Sequence, residues 1–202
     1  MSGQRLVLAT RNQKKLAELR RILEPVVDVE VLGLDDLPGY DEAPETAANF
    51  ADNALAKARD AVAATGLPAI ADDSGLAVDA LNGMPGVVSA RWSGRHGNDH
   101  ANLELLLAQI EDVPDEHRGA AFICAAALVL PSGFEHVLQA EMRGRIIRAP
   151  RGSAGFGYDP IFVADGQSVT TAEMSPADKD AISHRGKAFR QLAPIIAATL
   201  NG

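Results

Sequence analysis

Residues 5–32 read RLVLATRNQKKLAELRRILEPVVDVEVL, and this stretch decides the fold class. Arg5 to Thr10 is a short aliphatic run of strand length, the pattern of a buried strand. Asn12 stands at a helix-cap position, and Leu16, Leu19, Ile22 and Leu23 recur along one helical face until Pro25 ends the run. Val26 to Leu32 then alternates apolar and acidic residues, the period of a half-buried strand. Strand, helix and strand in succession predict an α/β layer architecture.

The same periodicities continue outward. Gly33 to Glu45 has no period and reads as a loop. Thr46 to Thr65 reads as a long Ala-rich helix closed by Gly66. Pro68 to Ala71 reads as a four-residue buried strand that delivers Asp72-Asp73-Ser74-Gly75 at its carboxyl end, and Leu76 to Leu81 continues as strand. Asn82 to Gly86 is turn-rich. Asn98 or Asp99 caps a helix reaching Ile110, and Ala120–Leu130 and Phe134–Glu141 flank Pro131-Ser132-Gly133 as a hairpin. A glycine-rich loop at Arg151–Pro160 precedes a strand at Ile161–Ala164. Ser175-Pro176 opens a short helix, and a final helix runs from about Gly186 to Leu200, with a kink or break expected at Pro194. No linker or repeat interrupts the chain, so residues 1–202 are expected to form a single domain.

Composition narrows the function. Of 202 residues, 47% are hydrophobic and 23% charged, which excludes disordered and collagen-like classes. Lys and Arg number 19 against 27 Asp and Glu, and a net charge of -8 disfavours a nucleic-acid partner, whose phosphates demand cations. A small phosphorylated ligand is not excluded, because local cations and a metal can overcome the global field. The longest apolar run, Ala120 to Leu130, is far short of the roughly 20 residues of a membrane helix. Leu6 to Ala9 is too short for a signal peptide, and Cys124 is the sole cysteine. A cytoplasmic location with no membrane partner is expected.

Four stretches carry candidate chemistry. Thr10-Arg11-Asn12-Gln13-Lys14-Lys15 lies where a strand passes into a helix, a place where backbone N–H groups attract anions; a plain cap with solvated lysines competes with that reading. Asp72 and Asp73 side by side require a nearby positive charge. Magnesium suits them, taking one or two carboxylates and completing its shell with water and phosphate, and Glu45 could add a further ligand; the alternative is an ordinary acidic turn. Gly152 to Pro160 places Phe156 in a loop whose backbone can approach a flat ligand, although a simple connecting loop has the same composition. Lys179 and Ser183-His184-Arg185-Gly186 gather donors near the last helix, while His184 alone would more often be structural.

In this order and spacing, the stretches, together with Glu45-Thr46, Phe50, Asn53, Lys57, Pro85-Gly86 and Ser89-Ala90-Arg91, resemble the inosine triphosphate pyrophosphatase family, the XTP/dITP diphosphatases. The resemblance implies a three-layer α/β fold, with a long mixed β-sheet flanked by helices and two lobes with a cleft between them. It implies a homodimer and Mg²⁺-dependent hydrolysis of ITP, dITP and XTP to the monophosphate and pyrophosphate, cleansing the nucleotide pool. By position, Thr10, Arg11, Asn12, Gln13, Lys14 and Lys15 would bind the triphosphate and Ser74 would touch substrate. Asp73 would be proton acceptor and metal ligand, Glu45 a second ligand, and Asp72 a support. Phe156 would stack on the purine in a loop with Gly157, Tyr158 and Asp159, and Lys179, His184 and Arg185 would line the base pocket. Arg185 or Lys179 aimed at the C6 carbonyl would favour hypoxanthine and xanthine over adenine.

Three positions depart from the family pattern: Ala154 where glycine is common, Pro44 where a second acid often stands, and Met142-Arg143-Gly144 in place of a stretch with Trp-Pro. The rival functions are a pyrophosphatase for modified or pyrimidine triphosphates and a nucleotide sensor without hydrolysis.

Overall fold

In the computed structural model, residues 4–23, 25, 28–37, 39 and 45–200 are described. Pro44 and the expected strand start at Val26 and Val27 lie outside them. The chain opens with β1 (Arg5–Leu8), α1 (Gln13–Leu23) and β2 (Glu30–Gly33), then α2 (Phe50–Thr65), β3 (Ala69–Val78) and α3 (Asp99–Gln109). It continues through β4 (Gly119–Val129), β5 (Glu135–Ile146), β6 (Phe162–Ala164), α4 (Pro176–Ile182) and α5 (His184–Leu200). The strands form a six-stranded sheet in the order β2-β1-β3-β4-β5-β6. β1 runs parallel to β2 and β3, with Leu6 opposite Val31 and Leu8 opposite Ile70, while β5 and β6 are antiparallel, so the sheet is mixed as expected.

Caps set the helix starts. The Asn12 carboxamide oxygen accepts from the N–H groups of Lys14 and Lys15, satisfying donors that the first turn of α1 leaves orphaned. Asn49 caps α2 by accepting from Asp52 N–H, which is why that helix begins at Phe50 and not at Thr46. Gly66 closes it at φ 66, a left-handed conformation that glycine adopts without a Cβ clash. Asn98, of the two candidates, caps α3. Ser175 caps α4 with Pro176 in its first turn.

Other expectations need correction. The strand around Asp72-Asp73 is one ten-residue strand, Ala69–Val78, so the acids sit at its centre and not at a carboxyl end. It stops at Val78, and Asp79–Leu81 is a 3-10 turn. Ile161 belongs to a 3-10 turn, with strand only from Phe162. The last helix starts at His184, and Pro194 does not break it. Proline removes one hydrogen-bond donor; the burial of Phe189, Leu192, Ala193 and Ile196 keeps the segment helical across that gap.

The chain forms two compact units. The first comprises Met1–Asp73, Cys124–Ala140 and Arg185–Gly202; the second comprises Ser74–Ile123 and Glu141–His184. In the first, Leu16, Leu19 and Leu23 of α1 and Phe189, Leu192 and Ile196 of α5 pack on Leu6, Leu8, Ile70, Cys124 and Leu128 of the sheet. The core of the second joins Leu76, Val78, Leu106, Ile110, Phe122, Ile146 and Phe162. Burying each large aliphatic or aromatic side chain of these clusters contributes roughly 1.5–3 kcal/mol. No helix among the described residues is long and apolar enough to cross a membrane.

Candidate active site

Alternation along β3 sends Asp72 and Asp73 to opposite faces of the sheet, so they do not form the side-by-side pair expected from sequence. Asp72 shares the face of Ile70, against α1 and α5. Its Oδ2 accepts from Lys15 Nζ at 3.0 Å and Arg185 Nε at 3.2 Å, and Arg185 Nη1 donates to Glu18 Oε2 at 2.6 Å. Two cations and two carboxylates thus form a neutral cluster. Burial alone would push the Asp72 carboxyl up, but Lys15, Arg185 and Lys57 together hold it well below the usual carboxylate range.

Asp73 meets α2 on the other face. Asn53 Nδ2 donates to its Oδ2 at 2.9 Å, and Lys57 Nζ lies 3.5 Å from Oδ1. Lys57 also pairs with Glu45 and donates to the backbone carbonyl of Asp72 at 3.2 Å. Burial pushes the Asp73 carboxyl above its ordinary value; Lys57 and the Asn53 bond oppose that, and Glu45 reinforces it. For Lys57, burial pulls down but Asp73, Glu45 and Asp72 outweigh it, and the ammonium is held firmly charged.

This donor set fits a divalent ion. Glu45 and Asp73 already flank a positive charge, the Lys57 ammonium. No group of three His, Cys, Asp or Glu side chains among the described residues is arranged to hold a metal. Two carboxylates suffice for magnesium when water and phosphate oxygens complete its shell.

Arg11, Asn12, Gln13 and Lys14 are exposed and Thr10 is half-buried at the mouth of α1. Thr10 Oγ1 accepts from Asn12 N–H at 3.2 Å, and Gln13 Nε2 donates to Asp35 Oδ2 at 2.6 Å. Since the Asn12 side chain already takes two first-turn N–H groups, an anion here would rely more on the side chains than on bare helix amides.

In the second unit, Ser74 is half-buried on β3. Asp159 organises the glycine-rich loop: its Oδ2 accepts from Phe156 N–H at 2.8 Å and from Lys179 Nζ at 2.6 Å, and its Oδ1 accepts from Thr171 Oγ1 at 2.8 Å. Lys179 Nζ also stands 5.3 Å from the centre of the Phe156 ring. Gly155 is left-handed at φ 76, and a Cβ there would collide with Asp159 Oδ2. Tyr158 is buried and donates to the Ser89 carbonyl at 2.9 Å, and His184 stacks on Phe122 with ring centres 5.0 Å apart.

Lys15, Asp72 and Arg185 therefore meet in the first unit, as do Asp73 and Glu45 through Lys57; Phe156, Asp159 and Lys179 meet in the second. Arg185 is buried between Asp72 and Glu18, its Nε donating to the first and its Nη1 to the second. Asn53, Lys57 and Glu18 were not singled out as site residues. Two of them interrupt an apolar face, Asn53 beside Phe50, Ala54 and Ala58 and Glu18 beside Leu19 and Ile22, and a polar residue in a buried stripe is the signal that could have found those two.

Residues 6–195 match the Ham1 family. A dITP/XTP pyrophosphatase of Nocardia farcinica is 64% identical over 200 residues, covering 98% of this chain and 97% of that protein. The dITP/XTP pyrophosphatase of Mycobacterium tuberculosis strain H37Rv is 58% identical over 200 residues, covering 98% of each. Among solved structures, the nucleoside-triphosphatase / dITP/XTP pyrophosphatase of Mycobacterium abscessus superposes with a TM-score of 0.78 at 60% identity, over 95% of this chain and 100% of that one. The Staphylococcus aureus Ham1 protein superposes with a TM-score of 0.86 at 36% identity, over 97% and 100%. Likeness in sequence and in backbone along nearly the whole length has one meaning: the chain belongs to the Ham1 family.

Proposed function

We propose that this protein hydrolyses deaminated purine nucleoside triphosphates, dITP, XTP and ITP, to the monophosphate and pyrophosphate, removing them from the pool that polymerases draw on. One observation carries the reading: a buried carboxylate, Asp73, is oriented by Asn53 and paired through Lys57 with Glu45, in a chain whose named relatives match it end to end.

Asp73 accepts the proton of the water that attacks the α-phosphorus in line. Asn53 fixes the Asp73 carboxylate in one orientation, and positioned proton transfer is worth roughly 10² to 10⁴ in rate. Asp73 and Glu45 would hold a Mg²⁺ ion, which when bound would supply positive charge for the phosphates and Lewis acidity for the attacking water. Thr10, Arg11, Asn12, Gln13, Lys14 and Lys15, with Ser74, hold the triphosphate. Phe156 stacks on the purine, backed by Gly157, Tyr158 and Asp159. Lys179 has three ammonium donors; Asp159 takes one, and another serves the C6 carbonyl that separates hypoxanthine from adenine. His184 walls the base pocket, and Arg185 acts as the countercharge of Asp72. The two units work as one catalytic domain in a cytoplasmic homodimer, with no nucleic-acid or membrane partner.

A panel of ITP, dITP, XTP, GTP and ATP, with and without Mg²⁺, tests this. The expected result is pyrophosphate release from the deaminated purines, dependent on the metal. Release of orthophosphate, or binding without turnover, overturns it.

A further inference from the structure

We propose that Asp99 is a positioning residue for the base-binding loop, acting through the amide of Gly157. The proposal rests on the reading that Phe156 stacks on the purine.

The peptide groups on either side of Phe156 are both held by carboxylates. The preceding one donates its N–H to Asp159 Oδ2 at 2.8 Å; the following one donates the Gly157 N–H to Asp99 Oδ2, also at 2.8 Å. The Phe156 carbonyl accepts from Asp159 N–H at 3.3 Å, so the following peptide is gripped at both ends. Peptide groups are planar, and fixing the two that flank a Cα fixes its φ and ψ and therefore the direction of its Cβ. The direction in which the Phe156 side chain leaves the backbone is thus set by two acids, one of them 58 positions before Gly157 in sequence.

The loop needs such a clamp. Gly152, Gly155 and Gly157 all have positive φ, at 78, 76 and 64, and glycines give a loop many alternative paths. Asp99 is available because Asn98 caps α3 by accepting from Ala101 N–H, which frees the first helical side chain to reach outward. A bond from an amide to a carboxylate is shorter and stronger than one to a neutral acceptor, which suits a tether on a glycine-rich backbone.

Four variants of the full chain separate this role from simple support of α3. Asp99→Ala removes the acceptor, and Asp99→Asn keeps an oxygen acceptor. Asn98→Ala removes the cap of the same helix while leaving the clamp, and Phe156→Ala removes the ring itself. Both Asp99 variants forfeit a charge that favours the helix N-terminus, so both lower Tm, as does the loss of the cap. KM separates them. Asp99→Ala and Phe156→Ala each raise KM for ITP by about tenfold with kcat little changed, in line with losing one charged hydrogen bond. Asp99→Asn and Asn98→Ala keep KM within about threefold of the parent.

If Phe156→Ala raises KM and Asp99→Ala does not, the clamp is wrong while the base-stacking reading stands. If Phe156→Ala leaves KM unchanged, both fall. Asp99→Asn behaving like Asp99→Ala, or Asn98→Ala raising KM as much, also overturns the proposal. In the unmodified protein, slow hydrogen exchange at the Gly157 amide is expected; fast exchange there refutes the clamp without any variant.

Discussion

Asp72 and Asp73 are neighbours in sequence, yet β3 hands them to different surroundings. On one face, α1 and α5 bring Lys15, Glu18 and Arg185 into a cluster of balanced charge around Asp72. On the other, α2 offers Asp73 one amide donor and an ammonium it shares with Glu45. The first carboxylate is held as a firm anion; the second is more basic and sits beside another acid. Residue type alone does not set the role. The helix lying on each face does.

The sharpest way to break this contrast is Asp73→Asn, expected to lower kcat by about 10² to 10⁴. Isothermal titration with Mg²⁺ should show weaker binding as well. Turnover within tenfold of the parent would remove Asp73 from the chemistry.

Next is Arg185→Ala, which takes the guanidinium from buried Glu18 and leaves Asp72 relying on Lys15. Breaking a buried pair costs about 3–5 kcal/mol, measurable by urea unfolding. Activity on ITP and ATP should fall in proportion; a selective loss with ITP would return Arg185 to the base pocket.

A pH series sharpens the comparison further. Asp72 has a depressed folded pKa, so below about pH 4 the unfolded chain binds a proton that the native state refuses. Its stabilisation is present above that pH and is lost as pH falls, by about 1.4 kcal/mol per pH unit. Asp73 is raised, so its share is full below its unfolded pKa and is lost as pH rises through the folded value. Asp72→Asn should flatten the acid limb of metal-free unfolding, and Asp73→Asn should gain stability relative to the parent as pH climbs above about 4. Equal slopes in both variants would erase the distinction. The smallest effect belongs to Asn53→Ala, which frees the Asp73 carboxylate to turn: about tenfold in kcat, with KM little changed.

Much of this was legible beforehand. The stripe Leu16, Leu19, Ile22, Leu23 and the Asn12 cap are local signals, and the structure follows both. The centre of β3 was not, because Asp72, Asp73, Ser74 and Gly75 are poor strand formers. Partners from distant segments, Lys15, Arg185, Asn53 and Lys57, satisfy the two acids there, and no propensity scale contains them. Reading the acids as a strand end also put them on one side, whereas a continuous strand must separate them. Pro194 is the opposite case: the break that its local signal allows does not occur, and packing of α5 keeps the segment helical. Lys57 stands in the sequence motif without a role, and its place between Glu45 and Asp73 emerges only once α2 lies on the sheet.

Neither unit is one uninterrupted piece of chain, and the switches fall inside β3, β4 and β5 and at the start of α5 rather than in loops. No truncation or single recombination crossover can therefore lift one unit out with its strands whole. The two units are inherited together, and neither is a portable cassette for grafting onto another enzyme.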